Sequence, residues 1–261
     1  MKTSLKWAVV LAALGGILTT LAFVGAFTYA RMQTNGTVNL PPAVARQVIA
    51  DSKNGFPLAP PAQQPSSPNL LAVQKPWFSQ KIFFFHVPLA VASLLVFTIA
   101  AIFSVLFLVK RKKSYDTRSR IAMEATLVFI IGTMISGDLW TRASWGVWWE
   151  WEPRLTTYAI MTLLVIAYFV LRNSVEDEER RAVYAAVFSI FAWVDAPVTF
   201  LITRILPSTH PTLTGLETSN LIPFMVGMAG MCMLGFAIYE LRFNEVHLHE
   251  RLDALKDDLE G

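Results

Sequence analysis

The stretch L-W-T-R-A-S-W-G-V-W-W-E-W-E-P-R-L-T-T, residues 139–157, joins two long apolar runs. Five of the chain's eight tryptophans fall within it: Trp140, Trp145, Trp148, Trp149 and Trp151. An indole is apolar over most of its surface but carries one N–H that needs a partner, so tryptophan collects where a membrane meets water. Anchoring of that kind accounts for a few of them. It does not account for five within twelve residues, interleaved with Gly146, the carboxylates Glu150 and Glu152 and the arginines Arg142 and Arg154. Such a surface suits a flat, aromatic, anionic ligand.

Outward from this stretch the chain is mostly apolar. Of 261 residues, 54% are hydrophobic and 16% charged, too few charges for an ordinary soluble domain. The apolar residues come in unbroken runs at 7–30, 82–109, 121–139, 153–171, 182–205 and 221–241, each long enough to cross a bilayer as a helix. The sequence therefore predicts an all-α integral membrane protein with six transmembrane helices and an outer-face tryptophan-rich loop. Four parts follow: a first helix at 1–30, a connector at 31–80, a five-helix core at 81–241 and a charged tail at 242–261. The first run exceeds a signal-peptide core and ends in no small-x-small site, so it reads as a retained helix. Eight of the fourteen prolines lie in the connector, which reads as an extended polar excursion with a short helix at 43–51. The tail reads as a solvated helix carrying His247 and His249.

Charge sets the orientation. With six spans, 14 of the 22 Lys and Arg residues fall on the segments that share a side with the termini and 8 on the others. The positive-inside rule then puts both termini in the cytoplasm and the tryptophan stretch on the outer face of a cytoplasmic (inner) membrane. The basic residues lie beside the spans, a pattern of membrane topology and not of nucleic-acid binding. Cys232 is the only cysteine and lies within a span, which excludes a disulfide framework and a thiol redox pair. No nucleophile elbow, phosphate loop or H-E-x-x-H motif occurs, so nothing points to an enzyme.

In this topology three features share one membrane face. His86 lies in the first two turns of the second span, the tryptophans fill the loop between spans three and four, and His210 lies between spans five and six. Haem needs such parts: aromatic surface for its ring, arginine for its propionates and a neutral imidazole on each side of its iron. Arg142 and Arg154 can pair with propionates as planar forks. His86 and His210 are the candidate iron ligands. Asp195, within the fifth span, must be paired or wet, with Arg204, Arg142 or the kink at Pro197 as its account. Glu150 and Glu152 read as helix-start carboxylates rather than an acid/base pair.

The same residues carry a resemblance. W-G-V-W-W-E-W-E-P-R-L-T at 145–156 resembles the tryptophan signature of the CcmC family of cytochrome c maturation, K-I-F-F-F-H-V-P at 81–88 is similar to the start of that family's second span, and T-H-P at 209–211 falls where the family has its second histidine. The resemblance covers roughly residues 78–241. It implies b-type haem, transiently bound as cargo at the outer face and passed to the chaperone CcmE, in company with the transporter subunits CcmA and CcmB and the small membrane protein CcmD. It also implies His86 and His210 as ligands, Trp145, Trp148, Trp149 and Trp151 as the platform, and Arg154 as a contact of haem or CcmE. The chain departs from the pattern at Glu152, where the family has aspartate, at R-I-L-P-S-T-H before the second histidine, and in its longer connector. A lyase-type relative that delivers haem directly to apocytochrome would be longer and richer in histidine. A mid-bilayer cytochrome b is disfavoured, because no histidine lies at mid-depth. A non-haem scaffold would use the tryptophans only as anchors.

Overall fold

The computed structural model describes residues 2–28, 35–39, 70–74, 77–206 and 218–260. Seven helices run α1 (Lys2–Thr28), α2 (Trp77–Lys110), α3 (Lys113–Trp145), α4 (Pro153–Ser174), α5 (Glu178–Trp193), α6 (Asp195–Ile205) and α7 (Thr218–Glu260). They make six spans long and apolar enough to cross a membrane, with α5 and α6 forming one. Large apolar side chains such as Leu163, Val170, Phe191 and Ile222 face outward, as lipid contact requires.

The connector departs from a purely extended reading. The strands β1 (Asn35–Asn39) and β2 (Leu70–Gln74) pair antiparallel, Asn35 opposite Gln74 and Asn39 opposite Leu70. Backbone N–H and C=O groups that no helix satisfies pair with one another where short stretches with Thr and Val come together. The ribbon draws the chain leaving α1 towards the chain entering α2. The expected helix at 43–51 lies outside the described residues.

α1 is built into the bundle along α7. In lipid, helices gain no hydrophobic energy by touching, so close approach relies on small residues. A Cβ on Gly230 would meet the backbone nitrogen of Thr19 at 2.7 Å, and one on Gly15 would meet the Gly230 carbonyl at 3.0 Å. Ala22 and Ala26 are buried in the same seam, and Ser4 donates to Asn244 across its far end at 2.8 Å. The central core lies between α2, α3 and α4, around Phe97, Ile121, Ile130, Met161 and Val165.

The basic run K-R-K-K at 110–113 occupies the turn between α2 and α3, where Arg111 adopts the left-handed conformation at φ 53°. Near this end Arg172 of α4 grips Asp116 of α3 with both nitrogens, at 2.8 and 2.5 Å. Arg242 of α7 reaches Glu124 at 2.8 Å. At the opposite end α4 starts with Pro153, whose missing N–H costs nothing there. Glu152 is its N-cap, its Oε1 accepting from the Leu155 N–H at 2.7 Å. The helix-start reading of Glu152 thus describes its place, and Glu150 is an exposed loop residue. Asp195 does not meet Arg204 or Arg142 in a salt bridge. It begins α6 after the break at Val194 and accepts from Thr199 at 3.2 Å, which settles a carboxylate within its own helix turn.

α7 is one helix of 43 residues, about 64 Å long at 1.5 Å per residue, so span and tail are continuous.

Candidate functional site

α3 does not stop at Leu139. It continues through Trp145 and ends at Gly146, whose φ of 79° is the left-handed C-cap that a glycine adopts without strain. The tryptophan stretch is therefore a helix end, a loop over 146–152 and a helix start. The extension winds Gly137, Trp140, Thr141 and Ser144 onto one face of α3, at helical spacing.

That face closes one wall of an open-sided cavity between α2, α3, α4 and α6, with a volume of about 160 Å³. Its walls are mainly apolar and aromatic: Phe83, Val87 and Leu94 from α2, Met134, Trp140 and Trp145 from α3, Leu155 and Tyr158 from α4, Phe200 from α6. The polar groups among them are few, chiefly His86, Asp138, Trp149 and Arg154.

His86 is buried and lies in the third turn of α2, because that helix begins at Trp77 and not at Ile82. Its Nδ1 is 2.9 Å from Ser136 Oγ. Ser136 spends its single proton on the Thr133 carbonyl, at 3.1 Å, so towards the imidazole it accepts. Nδ1 therefore carries the hydrogen and Nε2 the lone pair, the tautomer a metal ion accepts. Gly137 makes room for this ring: a Cβ there would meet His86 Cε1 at 3.1 Å. Trp140 sets an edge against it, with centroids 5.3 Å apart at 72°.

Arg154 leaves the first turn of α4 and crosses to α6, one terminal nitrogen donating to the Phe200 carbonyl at 3.2 Å and to Thr203 Oγ1 at 3.1 Å. Its Nε, and the indole Nε1 of Trp149, are buried with no hydrogen-bond partner among the described residues. A buried donor left unmade costs about 1–3 kcal/mol, so two of them beside one cavity favour an acceptor-bearing ligand. The N-terminus of α4 adds partial positive charge at the same place, opposed in part by Glu152.

The sequence-predicted residues thus divide. His86, Trp145, Trp149 and Arg154 line the cavity. Trp148 and Trp151 lie outside it, 60% and 78% exposed. Trp148 lies under the Arg142 guanidinium at 5.7 Å, and Trp151 sets its edge on Trp149 at 5.5 Å. Arg142 is also outside; it donates to the Gly146 carbonyl and fixes the loop. His210 lies outside the described residues. The helices on either side of it, α6 and α7, end and begin at the cavity end, as Arg154 on Thr203 and Phe224 stacked on Phe83 at 5.0 Å show. Sequence reasoning missed Gly137, Asp138 and Tyr158 as cavity residues and Ser136 as the partner of His86, and left Trp140 out of the platform. For the α3 residues Gly137, Asp138 and Trp140 the signal was the i, i+3, i+4 spacing of that helix, legible only once it is carried to Trp145.

A multi-pass membrane protein whose spans are all helices, with an imidazole, indoles and an arginine gathered in a cavity at one end, is the class that the fold and the site define. The chain belongs to the Heme exporter protein C family, whose pattern it matches over residues 74–257. It is 30% identical over 183 residues to the Heme exporter protein C of Bradyrhizobium diazoefficiens, covering 67% of this chain and 70% of that one. It is 32% identical over 116 residues to the Heme exporter protein C of Paracoccus denitrificans, covering 43% and 48%. A putative cytochrome c biosynthesis ccmC-like mitochondrial protein of Marchantia polymorpha is 30% identical over 118 residues, covering 45% and 49%. The match to the last two spans about half of their length.

Proposed function

We propose that this chain holds b-type haem as cargo in the cavity between α2, α3, α4 and α6 during cytochrome c maturation. The observation that carries this reading is His86: an imidazole fixed by Ser136 with its lone pair on Nε2, lining an open-sided aromatic cavity. Arg154 and the Trp149 N–H take the propionate edge, since both bring donors that lack partners among the described residues. Trp145 and Trp140 cover the ring. His210 is the second axial ligand, on the family resemblance and on the position of the helices around it. The site faces outward from the cytoplasmic membrane with both termini inside, as the Lys and Arg distribution indicates.

The exposed pair Trp148 and Trp151, held by Arg142 and Trp149, then forms the face on which CcmE receives haem, within an assembly containing CcmA, CcmB and CcmD. In this reading the protein binds and hands over, and makes or breaks no covalent bond of its own. The test is the absorption spectrum of the purified protein loaded with haem. A bis-imidazole spectrum lost in both His86→Ala and His210→Ala supports the assignment. A protein that takes up no haem, or whose spectrum survives His86→Ala, overturns it.

A further inference from the structure

The last part of α7 does something the cavity does not explain. Up to His247 the helix is tied to the bundle, with Asn244 to Ser4 and Arg118 packed on the Phe243 ring at 3.8 Å. From Leu248 to Leu259 every residue is exposed. Nothing among the described residues covers this stretch, yet Leu248, Leu252, Leu255 and Leu259 are 45–86% exposed. Their spacing of four, three and four is the d-a-d-a order of a heptad, one seam on one side of the helix.

The charges are sorted around that seam. In the register set by the leucines, Arg251 falls at g and Lys256 at e, the positions that flank a coiled-coil interface. Glu250, Asp253 and Asp257 fall at f and b, on the far side, and Asp258 is the one acid at a flanking position. A helix that merely stays soluble has no need of this segregation. It suits a partner with acidic flanks.

A second copy of the same helix fits poorly. In a parallel pair the g position of one chain faces the following e position of the other, which sets Arg251 against Lys256 and repels. An antiparallel pair is disfavoured because each tail continues straight from its own membrane span. Lying flat on a lipid surface is disfavoured too, since α7 runs unbroken from the bilayer to Glu260. Two heptads are also too short to pair from free solution, so the occupant must be held nearby, as a subunit of the same membrane is.

We propose that residues 248–259 are a docking face for an amphipathic helix of another protein, bearing an aliphatic seam flanked by Asp and Glu. It does not rest on haem binding, and its loss leaves the haem spectrum of the full chain unchanged. The test places a photocrosslinking amino acid at position 252 or 255 of the full chain in its native membranes, and at 253 or 257 as far-side controls. The expected result is an adduct from the seam positions only, whose crosslinked peptide maps to an acid-flanked apolar helix. That adduct should be lost in the Arg251→Glu/Lys256→Glu double variant. Adducts to a second copy of this chain, to lipid, or to no partner at all overturn the proposal, as does an adduct indifferent to the charge reversal.

Discussion

Ser136→Ala tests the site at its hinge. The hydroxyl accepts from His86 Nδ1 at 2.9 Å while its own proton goes to Thr133. Removing it deletes one buried hydrogen bond from the imidazole and changes nothing that lines the cavity directly. A typical net hydrogen bond contributes about 0.5–1.5 kcal/mol, which corresponds to about a two- to tenfold loss of haem affinity at 1.4 kcal/mol per decade. The hydrogen bond also makes the coordinating nitrogen more basic, so the iron–imidazole bond should weaken with it. The assay is a Soret titration of purified protein in lipid nanodiscs, read beside the iron–histidine stretching frequency. Ser136→Thr, which keeps the hydroxyl, should recover affinity.

The sign of the change is what decides. If the iron were bound through Nδ1, Ser136 would compete with it for that nitrogen, and Ser136→Ala would tighten binding. Tighter binding, or an unchanged affinity with an unchanged stretch, would refute the tautomer argument even if His86 proved essential.

Other variants probe neighbouring parts. Gly137→Ala should favour the isolated helix by about 1 kcal/mol yet weaken haem binding, because the new methyl meets His86 Cε1 at 3.1 Å; a thermal melt and a haem titration moving in opposite directions would show it. Arg154→Lys should fail to restore what Arg154→Ala loses in haem titration, since an ammonium has no planar fork to reach Phe200, Thr203 and a carboxylate together. Gly230→Leu should part α1 from α7, where even a Cβ comes 2.7 Å from the Thr19 nitrogen, and limited proteolysis should then cut near α1 in the variant alone. Asp116→Ala should cost about 3–5 kcal/mol by leaving the Arg172 guanidinium buried and unpaired, seen as a lowered unfolding midpoint in detergent.

How much of this was legible in the sequence depends on which signal each residue sends. The six spans were legible because twenty apolar residues in a row have few other meanings. The helix start at Pro153 was legible because proline and a preceding carboxylate are local chemistry, complete within one turn. The ends of α2 and α3 were not, and for one reason: tryptophan, phenylalanine and serine near a membrane surface are equally at home in a helix or a loop. The hydropathy run fades before the hydrogen-bond ladder does, which placed Trp140 in a loop when it is in a helix and His86 one turn too near the end. That displacement hid the cavity wall. Once α3 is carried to Gly146, the residues at 133, 137, 140, 141 and 144 fall on one face, and a motif that read as one platform of four indoles, with Trp140 apart from it, separates into two kinds. Trp140, Trp145 and Trp149 turn inward with His86, while Trp148 and Trp151 stay in the open. Composition cannot draw that line, because at Trp148 and Trp149 the two kinds are the same residue at adjacent positions, one exposed and the other lining the cavity. A platform built from both kinds has two faces by construction, one for a ligand and one for whatever approaches the loop. A Trp149→Ala variant should therefore lose haem, and a Trp148→Ala variant should keep it and fail only at hand-over, a separation that a flat row of equivalent rings would not show.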